Sequence, residues 1–229
     1  MKREDLPDLG GDGGDPEAGH LTRPGGELAS PMALPSAQLR RDARSERRRR
    51  RIVESALSLF ASHGYTVTSV DDIVTRARVS KSAFYEFFES KEHCFRELLA
   101  EEGGALIRDV LASAATGQDH HERLRRGITR FVTSCFERSD VARLLIVESV
   151  GLSPGVEAVR HDLQAQFADA VAEEVRHAMT HEAFYADKDP AVFGRAVVGA
   201  VSDAVGYFLT HPGVDADSLA ASLCRIFAP

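Results

Sequence analysis

Three side chains able to form hydrogen bonds stand close together in the segment SVDDIVTRARVSKSAFYEFF, residues 69–88. At about 100 degrees per residue, Lys81, Ser82 and Tyr85 share one side of a short helix with Glu86. The other side is entirely apolar and carries Ala83, Phe84, Phe87 and Phe88. An ammonium and two hydroxyls can contact phosphate oxygens and base edges, while the aromatic rings predict burial.

The flanking sequence predicts the helices that would position these side chains. A first helix is expected from about Glu46 to His63, ended by Gly64. Thr68 is expected to cap a second helix, with Asp71 completing the capping pair, and Ser80 to cap the third. Two short helices joined by a tight turn are typical of a helix-turn-helix, whose second helix enters the major groove. The same pattern also fits two core-packing helices with a solvated outer face.

The rest of the chain predicts an all-α protein. Ser90 is expected to cap a fourth helix beginning at Lys91. Helical periodicity recurs downstream, without hairpin signals. Further helices are predicted at about residues 104–115, 121–138, 140–151, 156–181, 190–210 and 216–227.

Charge is segregated along the chain. Residues 1–39 carry three basic and seven acidic side chains, a net charge of −4. Residues 40–91 carry twelve basic and seven acidic side chains, a net charge of +5. Residues 92–229 carry thirteen basic and twenty-one acidic side chains, a net charge of −8. A basic block within an acidic protein predicts a polyanionic partner for that block alone. The densest part of this block, RRDARSERRRRR at residues 40–51, is interpreted as a flexible arm that enters the minor groove of DNA. The same run of charge also fits a solvated helix end or a tether that binds polyanions nonspecifically.

Residues 47–99 resemble the DNA-binding region of the TetR family of bacterial transcriptional regulators. The matching pieces are the arginine lead-in, LFASHGY, TSVDDI, RVSKSAFYEFF and the SKE that opens the fourth helix. The resemblance implies a homodimer in which each subunit has a three-helix DNA-binding domain (residues 45–91) and a C-terminal helical bundle for ligand binding and dimerisation (residues 92–229). It also implies that a small-molecule effector moves the two reading heads apart and weakens binding to a double-stranded DNA operator.

Site residues follow from the resemblance position by position. Thr68 caps the helix across the DNA backbone, and Lys91 stands where the family places a phosphate-contacting lysine. The reading helix carries Lys81, Ser82, Ala83 and Tyr85, and further DNA contacts are expected from Arg47, Arg48, Arg78 and Ser80.

Three positions depart from the family pattern. Arg78 replaces a glycine commonly found in the turn, and a left-handed backbone there would cost about 1 kcal/mol. Phe87 replaces a frequent histidine. Glu86 replaces an aromatic residue, and it either accepts from a cytosine amino group or pairs with a nearby cation.

The C-terminal part offers candidates for a ligand and for dimer contacts. Glu148 lies on the apolar face of VARLLIVESVGL and is the candidate ligand-binding residue, although a structural ion pair is the more common role. Gly199, Ser202 and Gly206 form a small-residue stripe that suits a subunit interface or packing within one subunit. Leu219 and Leu223 are predicted to join that interface.

An enzyme or metal protein with a nucleic-acid-tethering arm is the alternative function. Asp169, Glu173, His177 and His181 follow at four-residue steps, and Glu174 with His177 forms one Glu-x-x-His motif. A di-iron bundle needs a second copy of this motif, which the sequence lacks. We therefore expect no cofactor and no enzymatic activity.

The remaining expectations concern the N-terminus and the compartment. Residues 1–44 are interpreted as a disordered extension with the basic arm, rich in glycine and proline, and Met32 is a candidate translation start. Cys94, Cys135 and Cys224 are expected to be reduced and buried. No apolar run of 18 uncharged residues occurs, so we expect a cytoplasmic protein without membrane contact.

Overall fold

The computed structural model describes residues 36–211 and 213–229, and these contain helices and no strand. The all-α fold is thus confirmed, while Met32 and the predicted disorder of residues 1–35 lie outside the described residues. The helices are α1 (Ser36–His63), α2 (Val70–Ala77), α3 (Lys81–Tyr85), α4 (Lys91–Ala114), α5 (His120–Glu137), α6 (Ser139–Ala142), a π turn (Arg143–Glu148), α7 (Pro154–Ala178), α8 (Pro190–Thr210) and α9 (Ala216–Phe227).

Helix α1 begins ten residues earlier than predicted, so residues 36–44 are helical rather than part of a disordered extension. The stretch from Ser36 to His63 contains no glycine or proline and is rich in arginine, alanine and leucine, which favour helices. Arg49 also fixes α1 to α4, because its guanidinium lies 3.1 Å from Glu97 and 3.4 Å from Glu101. Gly64, at φ +85°, ends the helix as predicted.

Two hydrophobic cores lie side by side. The first core joins α1, α2 and α3 to the first turns of α4, and its fully buried members include Phe60, Phe84 and Phe95. Leu144 and Val156 belong to this core although they lie far along the chain. Residues 45–91 therefore do not close the first core by themselves.

The second core is formed mainly by α5, α7, α8 and α9. Helix α4 runs unbroken past Gly103 and connects the two cores, whereas the sequence predicted separate helices there. A Cβ at Gly103 would lie 2.4 Å from Leu163 Cδ1, so this glycine permits close packing of α4 on α7 rather than ending a helix.

The three cysteines are buried free thiols, as expected. Burial raises the pKa of the Cys94 and Cys135 thiols to about 12. Because the thiolate is the reactive form, these two side chains behave as small core hydrophobes at neutral pH.

Helix α8 is long and apolar enough, by length and composition alone, to cross a membrane. Only 22% of its most apolar stretch is buried within the subunit. Its outward side is uncharged except at Arg195 and Asp203, and it carries Val192, Ala196, Gly199, Ala200 and Tyr207.

Candidate nucleic-acid interface and internal cavities

The turn between α2 and α3 is built around Arg78, which adopts a left-handed conformation with φ 53° and ψ 49°. It is the one non-glycine residue at positive φ in the described part of the chain. The conditional prediction of a left-handed backbone is confirmed, and its cost is about 1 kcal/mol. The Arg78 side chain is exposed beside α3.

Helix α3 has the predicted division between an outer and an inner face. Lys81, Ser82 and Tyr85 are exposed, and the Tyr85 side chain packs edge-on against Phe84 with ring centroids 5.4 Å apart. Ala83 is only 4% exposed, so its predicted contact with DNA is wrong. Ser80 caps the helix by accepting a hydrogen bond from the Ala83 amide, as predicted.

Local contacts order the polar side chains of this face. Lys81 Nζ lies 2.9 Å from Asp71 Oδ1, and hydrogen bonding to Asp71 raises the pKa of Lys81. The hydroxyls of Ser80 and Ser82 lie 2.9 Å apart. The face is therefore partly preorganised before any partner binds.

The predicted cap of α2 is one residue out of register. Ser69, not Thr68, is the cap, and it exchanges hydrogen bonds with Asp72 in a complete capping box. The Thr68 side chain is only 3% exposed and donates to the Gly64 carbonyl at 2.8 Å. Thr68 is buried and its hydroxyl is used inside the protein, so this residue is not available to DNA.

Lys91 has a structural role that the sequence did not reveal. Its Nζ donates to the backbone carbonyls of Tyr65 and Thr68, each at 2.8 Å, and lies 4.1 Å from the Tyr65 ring centroid. Desolvation by burial lowers the pKa of Lys91. Two of its three protons are thus engaged within the protein, and the phosphate contact stays a prediction.

The predicted basic arm is helical and forms part of α1. Arg40, Arg44, Arg47 and Arg51 are all exposed and fall on one side of α1, at the i, i+4, i+7 and i+11 positions. We call these four residues the basic stripe. An α-helix is about 10 Å wide with its side chains and the minor groove about 6 Å, so a helical arm does not fit the minor groove.

Arg48 points away from the basic stripe and towards α3. Its Nη2 lies 3.3 Å from Glu86 Oε2. Of the two roles considered for Glu86, the structure has the pairing with a neighbouring cation.

Glu148 lines neither of the two cavities described below, so their walls give no support to its prediction as a ligand-binding residue. Its Oε2 accepts a hydrogen bond from the Tyr65 amide at 3.2 Å, in the loop that joins α1 to α2. The predicted helix over residues 140–151 breaks into α6 and the π turn, which changes the direction of side chains relative to α-helical spacing. Periodicity placed Glu148 against an apolar surface but could not identify its partner.

Two adjoining cavities lie between α4, α5, α7 and α8. The larger, of about 530 Å³, is bounded on one side by the π turn through Leu145, Ile146 and Val147. The smaller, of about 380 Å³, reaches towards the start of α5. Phe131 and Phe167 line both, with their rings edge to face at 5.5 Å.

Polar groups are few along these walls. The larger cavity has Arg160, Gln164, Ser202, Asp203 and Tyr207, and the Arg160 charge is already paired with Glu157. The predominantly apolar lining favours a ligand with a sizeable hydrocarbon part.

The predicted interface residues separate into three groups. Leu219 and Leu223 are buried in the second core, so their prediction as subunit contacts is wrong. Ser202 and Gly206 line the larger cavity. Gly199 also borders this cavity but is exposed, and an added Cβ there would meet no atom within 4 Å.

The polar face of α7 is used in ion pairs. Glu173 pairs with Arg176 and with His177, and Glu174 Oε2 lies 2.7 Å from His120 Nδ1, from which it accepts a hydrogen bond when that nitrogen carries its proton. Within residues 36–211 and 213–229, no three His, Cys, Asp or Glu side chains are placed to hold one metal ion.

Comparison with known proteins identifies both halves of this architecture. The family model described as bacterial regulatory proteins, tetR family, matches residues 52–98, and the one described as tetracyclin repressor-like, C-terminal domain, matches residues 117–227. Curated relatives include the transcriptional activator FasR of Mycolicibacterium smegmatis, 28% identical over 49% of this chain and 52% of that protein. The transcriptional repressor DhaR of Mycobacterium sp. strain GP1 is 33% identical over 50% of this chain and 57% of that protein. The matches thus span about half the length of these relatives.

Solved structures with the same fold cover more of the chain. FadR from Bacillus subtilis in complex with stearoyl-CoA superimposes with a TM-score of 0.72 at 16% identity, covering 78% of this chain and 96% of that one. AibR in complex with isovaleryl coenzyme A and operator DNA has a TM-score of 0.68 at 20% identity, and the match covers 80% of this chain and 98% of that one. The solved structures share the fold, and the two family models show that the chain belongs to the TetR family of bacterial transcriptional regulators.

Proposed function

We propose that the protein is a homodimeric, cytoplasmic repressor that binds a pseudo-palindromic DNA operator and is released by a small-molecule effector. The observation that carries the proposal is the exposed face of Lys81, Ser82 and Tyr85 above a closed aromatic core. Their position at the start and outer side of α3 suits a helix whose N-terminal side chains reach base edges. Two copies related by a twofold axis would read half-sites about 34–36 Å apart, or a multiple of that spacing.

The outward side of α8 supports the homodimer. Ala196, Gly199 and Ala200 are small and exposed, which permits a second helix to approach closely, and Val192 and Tyr207 add apolar area. An apolar side with so little burial in one subunit is suited to an isologous contact with the same side of a second copy.

Ala200→Glu tests this surface. Burying an unpaired carboxylate in the contact should shift the protein from dimer to monomer in sedimentation velocity and weaken operator binding at least tenfold. Ala112→Glu places the same charge on the exposed surface of α4 and is the matched control. A dimer unchanged by Ala200→Glu would contradict the α8 interface.

The two cavities support an effector with an apolar acyl chain. Their walls are mostly hydrocarbon, and the structural relatives FadR and AibR were solved with stearoyl-CoA and isovaleryl coenzyme A. We infer that an acyl thioester places its chain in the larger cavity. A long chain would pass Phe131 and Phe167 into the smaller one, whereas a short branched chain would end before these rings.

The decisive experiment selects bound duplexes from random DNA and then measures release of the enriched sequence by stearoyl-CoA, isovaleryl-CoA and free coenzyme A. We expect a palindromic consensus, release by an acyl thioester and no release by coenzyme A alone. Tyr85→Ala should weaken binding to all duplexes, and Tyr85→Phe should separate the hydroxyl from the ring. Failure to enrich any sequence would contradict operator recognition, and failure of every acyl thioester would contradict the effector class.

A further inference from the structure

The π turn touches both the larger cavity and the DNA-binding unit. Leu145, Ile146 and Val147 line the cavity, while Leu144 is fully buried in the first core. Arg143 Nε donates to the Ala61 carbonyl near the end of α1 at 3.2 Å. One six-residue segment therefore separates a ligand in the cavity from the first core.

The polar end of the π turn reaches Tyr65 through Glu148. The Tyr65 amide donates to Glu148 Oε2 at 3.2 Å. Gly64 makes room for this carboxylate, since a Cβ there would lie 3.2 Å from the same oxygen. The Tyr65 ring is packed against Phe60 and Phe95, with centroid distances of 5.6 and 5.0 Å, so the Tyr65 backbone is held from two sides.

Lys91 continues this chain of contacts to the start of α2. Its ammonium binds the carbonyls of Tyr65 and Thr68 at 2.8 Å, and Thr68 immediately precedes the capping residue Ser69. A displacement of the Tyr65 turn therefore acts on the end of α2 that fixes the direction of α2 and α3.

We propose that Glu148 is a positioning residue that transmits occupancy of the larger cavity to the reading helix through Tyr65 and Lys91. This inference rests on the proposed function. A ligand pressing on Ile146 shifts the π turn, and Glu148 moves with it and releases the Tyr65 amide. A π turn is a rarely populated helical form found often at functional sites, and it has an alternative hydrogen-bonding arrangement in the α-helix. Ligand and DNA then bias the same two-state element in opposite directions.

A single methyl group can replace the ligand in a direct test. A Cβ at Gly206 would lie 2.9 Å from Ile146 Cγ2, so Gly206→Ala forces Ile146 of the π turn to move without any ligand or DNA. Gly213→Ala adds the same methyl just after the same helix, at a position where no atom lies within 4 Å. Each substitution is made with Glu148 present and with Glu148→Ala.

The readout is amide hydrogen exchange of residues 64–68 in the full-length protein. We expect Gly206→Ala and Glu148→Ala each to accelerate exchange at least tenfold, with no further acceleration when they are combined, and Gly213→Ala to have no effect. Equal acceleration by Gly206→Ala in both backgrounds would overturn the relay, as would no acceleration at all.

A second measurement separates the relay from the proposed function. In wild type, saturating stearoyl-CoA should lower operator affinity. Glu148→Ala releases the Tyr65 amide permanently, so it should weaken operator binding without ligand, and the further effect of stearoyl-CoA should be at least tenfold smaller than in wild type while direct titration still shows stearoyl-CoA bound. Glu102→Ala, which removes an acid paired with Arg138 in the C-terminal bundle, should keep the wild-type coupling. If stearoyl-CoA has no effect on wild type, the proposed effector is wrong and the exchange experiment alone decides the relay. Retained coupling in Glu148→Ala would overturn the relay.

Discussion

Arg48 Nη2 lies 3.3 Å from Glu86 Oε2, which ties the basic segment of α1 to the residue that ends α3. Their side chains are 34% and 52% exposed, so the pair contributes at most about 1 kcal/mol to stability. Its larger effect is on charge, because Glu86 neutralises an arginine and places a carboxylate beside the proposed DNA surface.

Glu86→Gln is expected to raise affinity severalfold for the operator and for unrelated duplexes alike. The substitution removes a charge that phosphates repel and frees Arg48 for contact with the DNA backbone. Fluorescence anisotropy with both duplexes measures the effect, and Asp162→Asn removes the same charge from the exposed side of α7 as a control. A loss of about 1–3 kcal/mol for the operator alone would instead show that Glu86 accepts from a cytosine.

Arg78→Gly is expected to stabilise the protein by roughly 1 kcal/mol, because glycine adopts φ 53° without the steric cost borne by arginine. Arg78→Ala keeps that cost and removes the same side chain, so the difference between the two variants isolates the backbone contribution. Urea unfolding measures it. Equal stability of the two variants would contradict strain at this turn.

If Arg78 contacts a phosphate, both variants should lower the slope of log affinity against log salt by about 0.9.

The division of α3 into two faces could be predicted from sequence because its residues follow helical spacing and differ sharply in polarity. Ser80 and Ser90 were identified as caps for the same reason: each is a single good cap directly before a periodic segment. Thr68 and Ser69 are both good caps with an aspartate three positions on, so local sequence could not fix the register. The buried side chain of Thr68 decided it.

Other features depend on contacts between distant residues and left no local signal. Glu148 pairs with a backbone amide 83 positions away, and the π turn altered the register on which its placement was inferred. Leu219 and Leu223 are apolar at helical spacing, a pattern shared by core and interface residues. Only the position of α9 against α5 shows that they belong to the core.

The stability of the α2 cap is expected to depend on acidity through Asp72. The Ser69 hydroxyl, followed by the Ser69 amide, lowers the pKa of Asp72 below its ordinary value by hydrogen bonding to the ionised form. A carboxyl with a lowered pKa in the folded state adds stability that is fully present above its unfolded pKa of about 4 and is lost as pH falls through the folded pKa. Asp72→Asn removes this contribution.

Urea unfolding of wild type and Asp72→Asn between pH 7 and pH 2.5 tests the cap. The stability difference should be constant above about pH 5 and should shrink towards lower pH. Asp140→Asn, at an exposed aspartate on the short helix α6, serves as the control for a general charge effect. A difference that grows on acidification would contradict the assigned direction.

The basic stripe is expected to bind phosphates as a helix. Arg40→Gln with Arg44→Gln should lower the slope of log affinity against log salt by about 2 if each side chain meets one phosphate. Arg108→Gln with Arg225→Gln removes two exposed charges elsewhere and should leave this slope unchanged.

Ala43→Pro distinguishes a rigid from a flexible arm, because it breaks α1 at an exposed position and keeps every arginine. The first core begins only at Ile52, so this break should leave the DNA-binding unit folded. If the stripe acts as a helix, Ala43→Pro should reduce the salt slope about half as much as the double substitution, since Arg40 is the one stripe residue that precedes the break. A wild-type slope in Ala43→Pro would show that the arm needs its charges but not its helix.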